Sequence, residues 1–135
     1  MMNTNVKVNS LGTNEAIKFN FDEELLKQNG FKFMEEPNYP EKWPIPPHWY
    51  YNKFFSYKSL EITFSVNYYI EPYKGSQFCI DVIDDDFGQP YDYQHMLEQN
   101  PDFIYAKKVQ EFVENEMEKL QANGIISGHI RGEYI

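Results

Sequence analysis

Cysteine, arginine and long apolar runs are what this chain has least of. Its one cysteine, Cys79, has no partner for an internal disulfide, which reads as a soluble, intracellular, cytoplasmic protein. Arg131 is the only arginine, and the formal net charge is −9. Phosphate contacts need clustered Lys and Arg, so ordinary nucleic-acid binding is excluded and basic partners are favoured. No run approaches the ~20 apolar residues that span a bilayer, and no membrane association is expected. The start, Met1-Met2-Asn3-Thr4-Asn5, has neither a basic nor an apolar signal region, so no signal peptide is expected. Also missing are a glycine-flanked serine elbow, a phosphate-cradling glycine loop and a CxxC pair. No catalytic residue, metal ligand or cofactor is assigned on these grounds.

Aromatic residues are abundant instead: 11 Phe, 11 Tyr and 2 Trp in 135 residues. That is ample for the core of one domain and leaves rings for a binding surface. The stretch from Leu60 to Ile70 is the organising one. Its even positions are all apolar or aromatic, while Glu61, Thr63, Ser65 and Asn67 alternate with them and Tyr69 is the one bulky odd position. Period two describes a strand with one dry and one wet face.

Residues 1–19 are polar and read as a flexible N-terminal arm, with one short edge strand at 6–8. A single domain follows over 20–135. Asn20 with Asp22 and Glu23 starts a short helix that stops at Asn29-Gly30, and residues 31–35 alternate as a first strand. The segment 36–48 holds five prolines, interleaved with Tyr39 and Trp43. Proline lacks a ladder donor, so this is a stiff connection, either read by a partner's aromatic groove or docked on its own domain. Strands at 49–57 and 77–83 flank the 60–70 strand, joined by turns at Lys58-Ser59 and at 73–76. Asp92 caps a short helix to about Gln99. Asn100-Pro101-Asp102 opens a long one over 101–122, with Ala106, Val109, Phe112, Val113, Met117 and Leu120 at helical spacing and Asn123-Gly124 as its stop. The tail tucks against an edge. The fold class expected is α+β: a two-layer, antiparallel meander of about four strands, one face covered by the long C-terminal helix.

Three constellations bear on chemistry. Asp81 with Asp84-Asp85-Asp86 clusters carboxylates, but no register matches an EF-hand loop. Asp92, His95 and Glu98 span ~120° of a helix, wide for one metal site. Cys79 sits within a strand, where a lone cysteine is a small apolar filler.

The helix–strand–strand–strand–helix order resembles the double-stranded-RNA-binding domain, with Ala106-Lys107-Lys108 near the start of the last helix. The acids that follow, Glu111, Glu114, Glu116 and Glu118, oppose phosphate, so the likeness extends only to the α+β layout. The Asn, Lys and Tyr bias, the small single domain and Gln89-Pro90-Tyr91-Asp92-Tyr93 look like the short acidic accessory proteins of phages and prophages of AT-rich Gram-positive bacteria. That resemblance implies a protein that binds and blocks a host protein. The function expected is a non-enzymatic protein–protein interaction module: an inhibitor of a host nucleic-acid-handling or defence protein, meeting a basic partner. Its surface would comprise Asp84, Asp85, Asp86, Tyr91, Tyr93, Glu111, Glu114, Glu118, Trp43 and Tyr69. The alternatives are a small metal-dependent enzyme using Asp81, Asp84, Asp86 and His95, or a homo-oligomeric assembly protein using the sheet face with Tyr69.

Overall fold

The computed structural model describes residues 5–8, 12–35, 45–73 and 76–129. The expectations on Tyr39, Trp43 and most of the proline segment lie outside the described residues, as do those on Arg131 and the last residues of the tail.

The molecule is α+β, with a mainly antiparallel sheet and a long C-terminal helix. Its strands are β1 (Asn5–Val8), β2 (Gly12–Phe19), β3 (Lys32–Met34), β4 (His48–Tyr57), β5 (Leu60–Tyr73), β6 (Ser76–Asp84), β7 (Gln89–Pro90) and β8 (Ile126–Ser127). Helices α1 (Glu23–Gln28), α2 (Tyr93–Gln99) and α3 (Ile104–Ala122) complete it. The sheet order is β3-β4-β5-β6-β1-β2-β8, with β7 also on β6. Every pairing is antiparallel except β1 on β6.

The dry face of β5 is as the alternation demands: Ile62, Phe64 and Val66 are fully buried, and so are Phe78, Ile80 and Val82 on β6. Helix α3 packs on this face. The Phe112 ring stacks on Phe55 of β4 at 4.8 Å and meets Phe64 edge-on at 6.2 Å. Val109, Val113, Met117 and Leu120 are buried along the same helix. Helix α2, capped as expected when the Asp92 carboxylate accepts from the His95 N–H, adds Tyr93 and Leu97 to the core.

Three expectations are corrected. The sheet contains eight strands among the described residues rather than about four. Two of them come from the stretch expected as a loose arm. There β1 is interior to the sheet, and Ile17 and Phe19 at the end of β2 enter the core, Phe19 stacking on Tyr68 at 4.8 Å. What places this hairpin is backbone pairing to the far edge of β6, where Lys7 lies opposite Cys79. A polar composition does not report such pairing. Finally, α3 begins at Ile104, not at Pro101: the Asn100 side chain accepts from the Asp102 N–H, and an Asx turn holds 100–102 between the two helices.

The expected stops hold. Asn29 and Asn123 cap α1 and α3, and each is followed by a glycine at left-handed φ, Gly30 at 85° and Gly124 at 82°. Behind Gly124 the chain returns over α3. Ile125 and Ile126 are buried, Ile126 pairs with Phe19, and Gln121 brackets the His129 backbone by accepting from its N–H (2.7 Å) and donating to its carbonyl (3.0 Å). No helix among the described residues is long and apolar enough to cross a membrane.

Candidate functional site

The candidate site is the other face of the same strands. The turn Lys58-Ser59 pairs Tyr57 with Leu60, so even positions of β4 lie beside odd positions of β5. This register sets His48 beside Tyr69, Tyr50 beside Asn67, Asn52 beside Ser65, Phe54 beside Thr63 and Ser56 beside Glu61. Strand β6 continues the rows with Cys79 beside Asn67, Asp81 beside Ser65 and Ile83 beside Thr63, while β3 adds Lys32 beside Tyr50 and Met34 beside His48.

Two regions result. Near the β3 end is a cleft of about 330 Å³ lined by Met34, Ile45, His48, Tyr50, Asn52, Ser65, Asn67 and Tyr69. His48 sits between the Tyr69 ring at 5.2 Å and the Tyr50 ring at 6.0 Å. Its Nδ1 carries a proton donated to the Pro46 carbonyl at 3.0 Å, since a carbonyl only accepts. The other region is acidic. The Asp85 N–H donates to the Glu61 carbonyl, which sets the two carboxylate residues across from one another, and the Thr63 hydroxyl donates to Asp85, 2.7 Å from its nearer oxygen. Asp81 lies on the same face.

Of the acids expected at the surface, Asp84, Asp85 and Asp86 come together at the end of β6. Asp84 also accepts from the Asp86 N–H, which shapes the turn. Glu111 is exposed and Glu118 half-buried on α3. Tyr69 is half-buried on the candidate face. Three residues are corrected. Tyr91 and Tyr93 are core residues, 6% and 1% exposed, because β7 pairs with β6, with the Tyr91 N–H donating to the Val82 carbonyl, and α2, which Tyr93 opens, packs against α3. Glu114 is 3% exposed, so no Glu111/Glu114/Glu118 surface exists. The returning chain covers that flank of α3 and sets His129 Nε2 3.4 Å from the Glu114 carboxylate. Glu116 is buried on the opposite flank, where it accepts from the Tyr51 hydroxyl at 3.1 Å. Burial first, and then the Glu116 carboxylate, push the Tyr51 phenol up to about 12.

Sequence reasoning missed His48, Tyr50 and Phe54. Their signal was the parity of the β4–β5 hairpin: through a two-residue turn, even positions of 48–57 join odd positions of 60–70.

No protein-family model matches the chain, and comparisons with curated proteins and with solved structures gave no match. Chemistry must therefore be read from the geometry. Among the described residues, no three His, Cys, Asp or Glu side chains gather as a metal-binding group. His95, proposed beside Asp81 and Asp84, lies exposed on α2, 3.9 Å from Glu98.

Cys79 donates weakly to Asp81, 3.8 Å away, and burial together with that carboxylate pushes its thiol up to about 12. At pH 8 the thiolate is then about a thousand times scarcer than for a free thiol. Alkylation by iodoacetamide is expected to be slower by about that factor than for the same chain in denaturant, with mass spectrometry as the readout. The sign for stability follows. The unfolded thiol titrates near the ordinary 9 and the folded one near 12. This contribution is complete below pH 9 and is lost as pH rises to 12, a loss that Cys79→Ala removes.

Proposed function

We propose that the chain is a non-enzymatic protein–protein interaction module, a phage-encoded inhibitor of a cytoplasmic host protein that handles nucleic acid or serves defence. The single observation that supports this reading is the convergence on one sheet face of carboxylates with exposed or half-exposed rings. Along it Tyr69 and Tyr50 lie toward the β3 end, Phe54, Glu61 and Asp85 toward the other, with Asp81 on β6 between them and Asp84 and Asp86 at the margin. Glu61 and Asp85 meet through the Asp85 N–H and the Glu61 carbonyl at the end of the β5–β6 ladder, which keeps two carboxylate residues at one end of the face where a cationic group is favoured. Tyr and Phe supply contact area at low entropy cost. The partner is accordingly basic, a protein whose own ligand is a polyanion, and steering by the −9 charge speeds the encounter.

The experiment is capture from a lysate of an AT-rich Gram-positive host, followed by calorimetry of the purified partner against variants. Asp84→Lys/Asp85→Lys/Asp86→Lys is expected to weaken binding at least tenfold and to flatten its salt dependence, and Tyr69→Ala to weaken it without changing the salt slope. Unchanged affinity across both variants overturns the reading.

A further inference from the structure

The β4 strand is ten residues long, yet β3 pairs only with His48, Trp49 and Tyr50. Beyond Tyr50 the outer edge of β4 meets no strand among the described residues. Which groups are left there follows from the ladder. The Ile70 N–H donates to the Pro47 carbonyl, so the 47–70 pair is a hydrogen-bonded one, and every second pair from it is too: 53–64, 55–62 and 57–60. The N–H and C=O of Asn52, Phe54 and Ser56 therefore point away from β5. Their side chains lie on the candidate face, and Phe54 is 71% exposed in the middle of this edge. A strand edge with open donors, open acceptors and an exposed ring is a template for another strand.

We infer that this edge pairs with the same edge of a second copy, antiparallel, with Phe54 on the two-fold axis. The register commits the occupant. Centring on Phe54 joins each copy's Asn52 to the other's Ser56 and Phe54 to Phe54, so all three outward-facing residues of both chains are satisfied together. Centring on Lys53 or Phe55 sends one of them to Tyr50, already taken by Lys32 of β3, or to the Lys58 turn. Charge agrees. The net −9 is not carried on this segment, since residues 51–60 contain Lys53 and Lys58 and no carboxylate. Lys53, a residue type that blunts free edges, falls opposite the second copy's Phe55 rather than its own counterpart. At each end of the paired segment, Tyr57 of one copy, with the Lys58 and Lys108 ammonium groups 5.5 and 5.7 Å from its ring centre, comes up to the Phe31–Tyr51 stack of the other, where Tyr51 holds Glu116. The contact is isologous and closed, and it makes one continuous sheet across two molecules. It does not depend on the function proposed above.

Sedimentation velocity from low to high micromolar concentration tests it. The wild type is expected to move from the 16.2 kDa monomer to twice that mass. Phe54→Glu, which sets two carboxylates face to face on the axis, is expected to raise the dissociation constant at least tenfold. Phe54→Pro, which removes the exposed ring together with an N–H unused within the chain, is expected to do the same, with circular dichroism confirming the fold of each. In a Cys79→Ala background, Phe54→Cys is expected to give an intermolecular disulfide under mild oxidation, because paired residues stand ~5.5 Å apart at Cα. Ser56→Cys is expected to give none, its counterpart lying roughly 13 Å along the strand. A wild type that stays monomeric, a dimer that Phe54→Glu leaves intact, or cross-linking at Ser56→Cys equal to that at Phe54→Cys overturns the inference.

Discussion

Replacing Phe64 by alanine is expected to lower the unfolding free energy by about 3–5 kcal/mol, the range for truncating a buried aromatic ring. Phe64 is fully buried at the centre of β5, beside Lys53 of β4 and Val82 of β6 in the ladder, and its ring takes the edge of Phe112 on α3. Truncation thus removes burial and opens a cavity between sheet and helix, at a point neither layer fills without moving the other. Against a total of about 5–15 kcal/mol this is a large share, and the melting temperature is expected to fall on the order of 10–20 °C. Urea unfolding followed by tryptophan fluorescence reads it. A loss under about 1 kcal/mol would mean that α3 does not seal this face. Phe64→Leu, which keeps most of the volume, is expected to cost less than half as much.

Glu114→Ala is expected to cost about 3 kcal/mol, the lower end of what breaking a buried pair costs. Glu114 and His129 are both buried, 3.4 Å apart, where the chain beyond α3 folds back on the helix. Removing the carboxylate leaves the imidazole in the same enclosure without it, and the returning segment loses a hold on α3 that the Gln121 bracket replaces only at the backbone. The change is local, so hydrogen exchange at Ile125 and Ile126 is expected to accelerate more than exchange at Ile62 and Val66. A double-mutant cycle with His129→Ala isolates the pair: strongly coupled losses support it, and additive losses would show that the two side chains act separately.

These two residues mark the limits of what was legible beforehand. Parity alone places Phe64 in the core, because in a strand every second residue shares a face whatever else the chain does. Residue type alone places Glu114 on the surface. It follows Val113 by ~100° around α3, at the flank of the buried arc, and whether that flank is wet depends on a segment beyond the helix stop. The same holds for Tyr91 and Tyr93. Their ring chemistry suits a binding surface or a core equally, and only the pairing of β7 with β6 and the packing of α2 on α3 decide between them.

The candidate site was half legible. Odd positions of 60–70 were visible as a wet face, and the acids of 84–86 were visible as exposed. That His48, Tyr50 and Phe54 complete this face follows from the hairpin register, available in principle from the two-residue turn. That Asp85 stands across from Glu61 needed the β5–β6 register, set by long-range pairing.

The alternation of β5, the turn at Lys58-Ser59, the Asp92 cap, the helical spacing through α3 and the stops at Gly30 and Gly124 are all legible in the residues that form them. Each is a local rule of backbone geometry or capping and acts within a few residues. Long-range packing, by contrast, brings β1 into the sheet, buries Glu114 and Glu116 on opposite flanks of α3, and leaves the β4 edge beyond Tyr50 without a strand among the described residues. Those outcomes depend on which distant segments meet, and neither long-range strand pairing nor the covering of a helix flank carries a signature in the residues on one side of the contact.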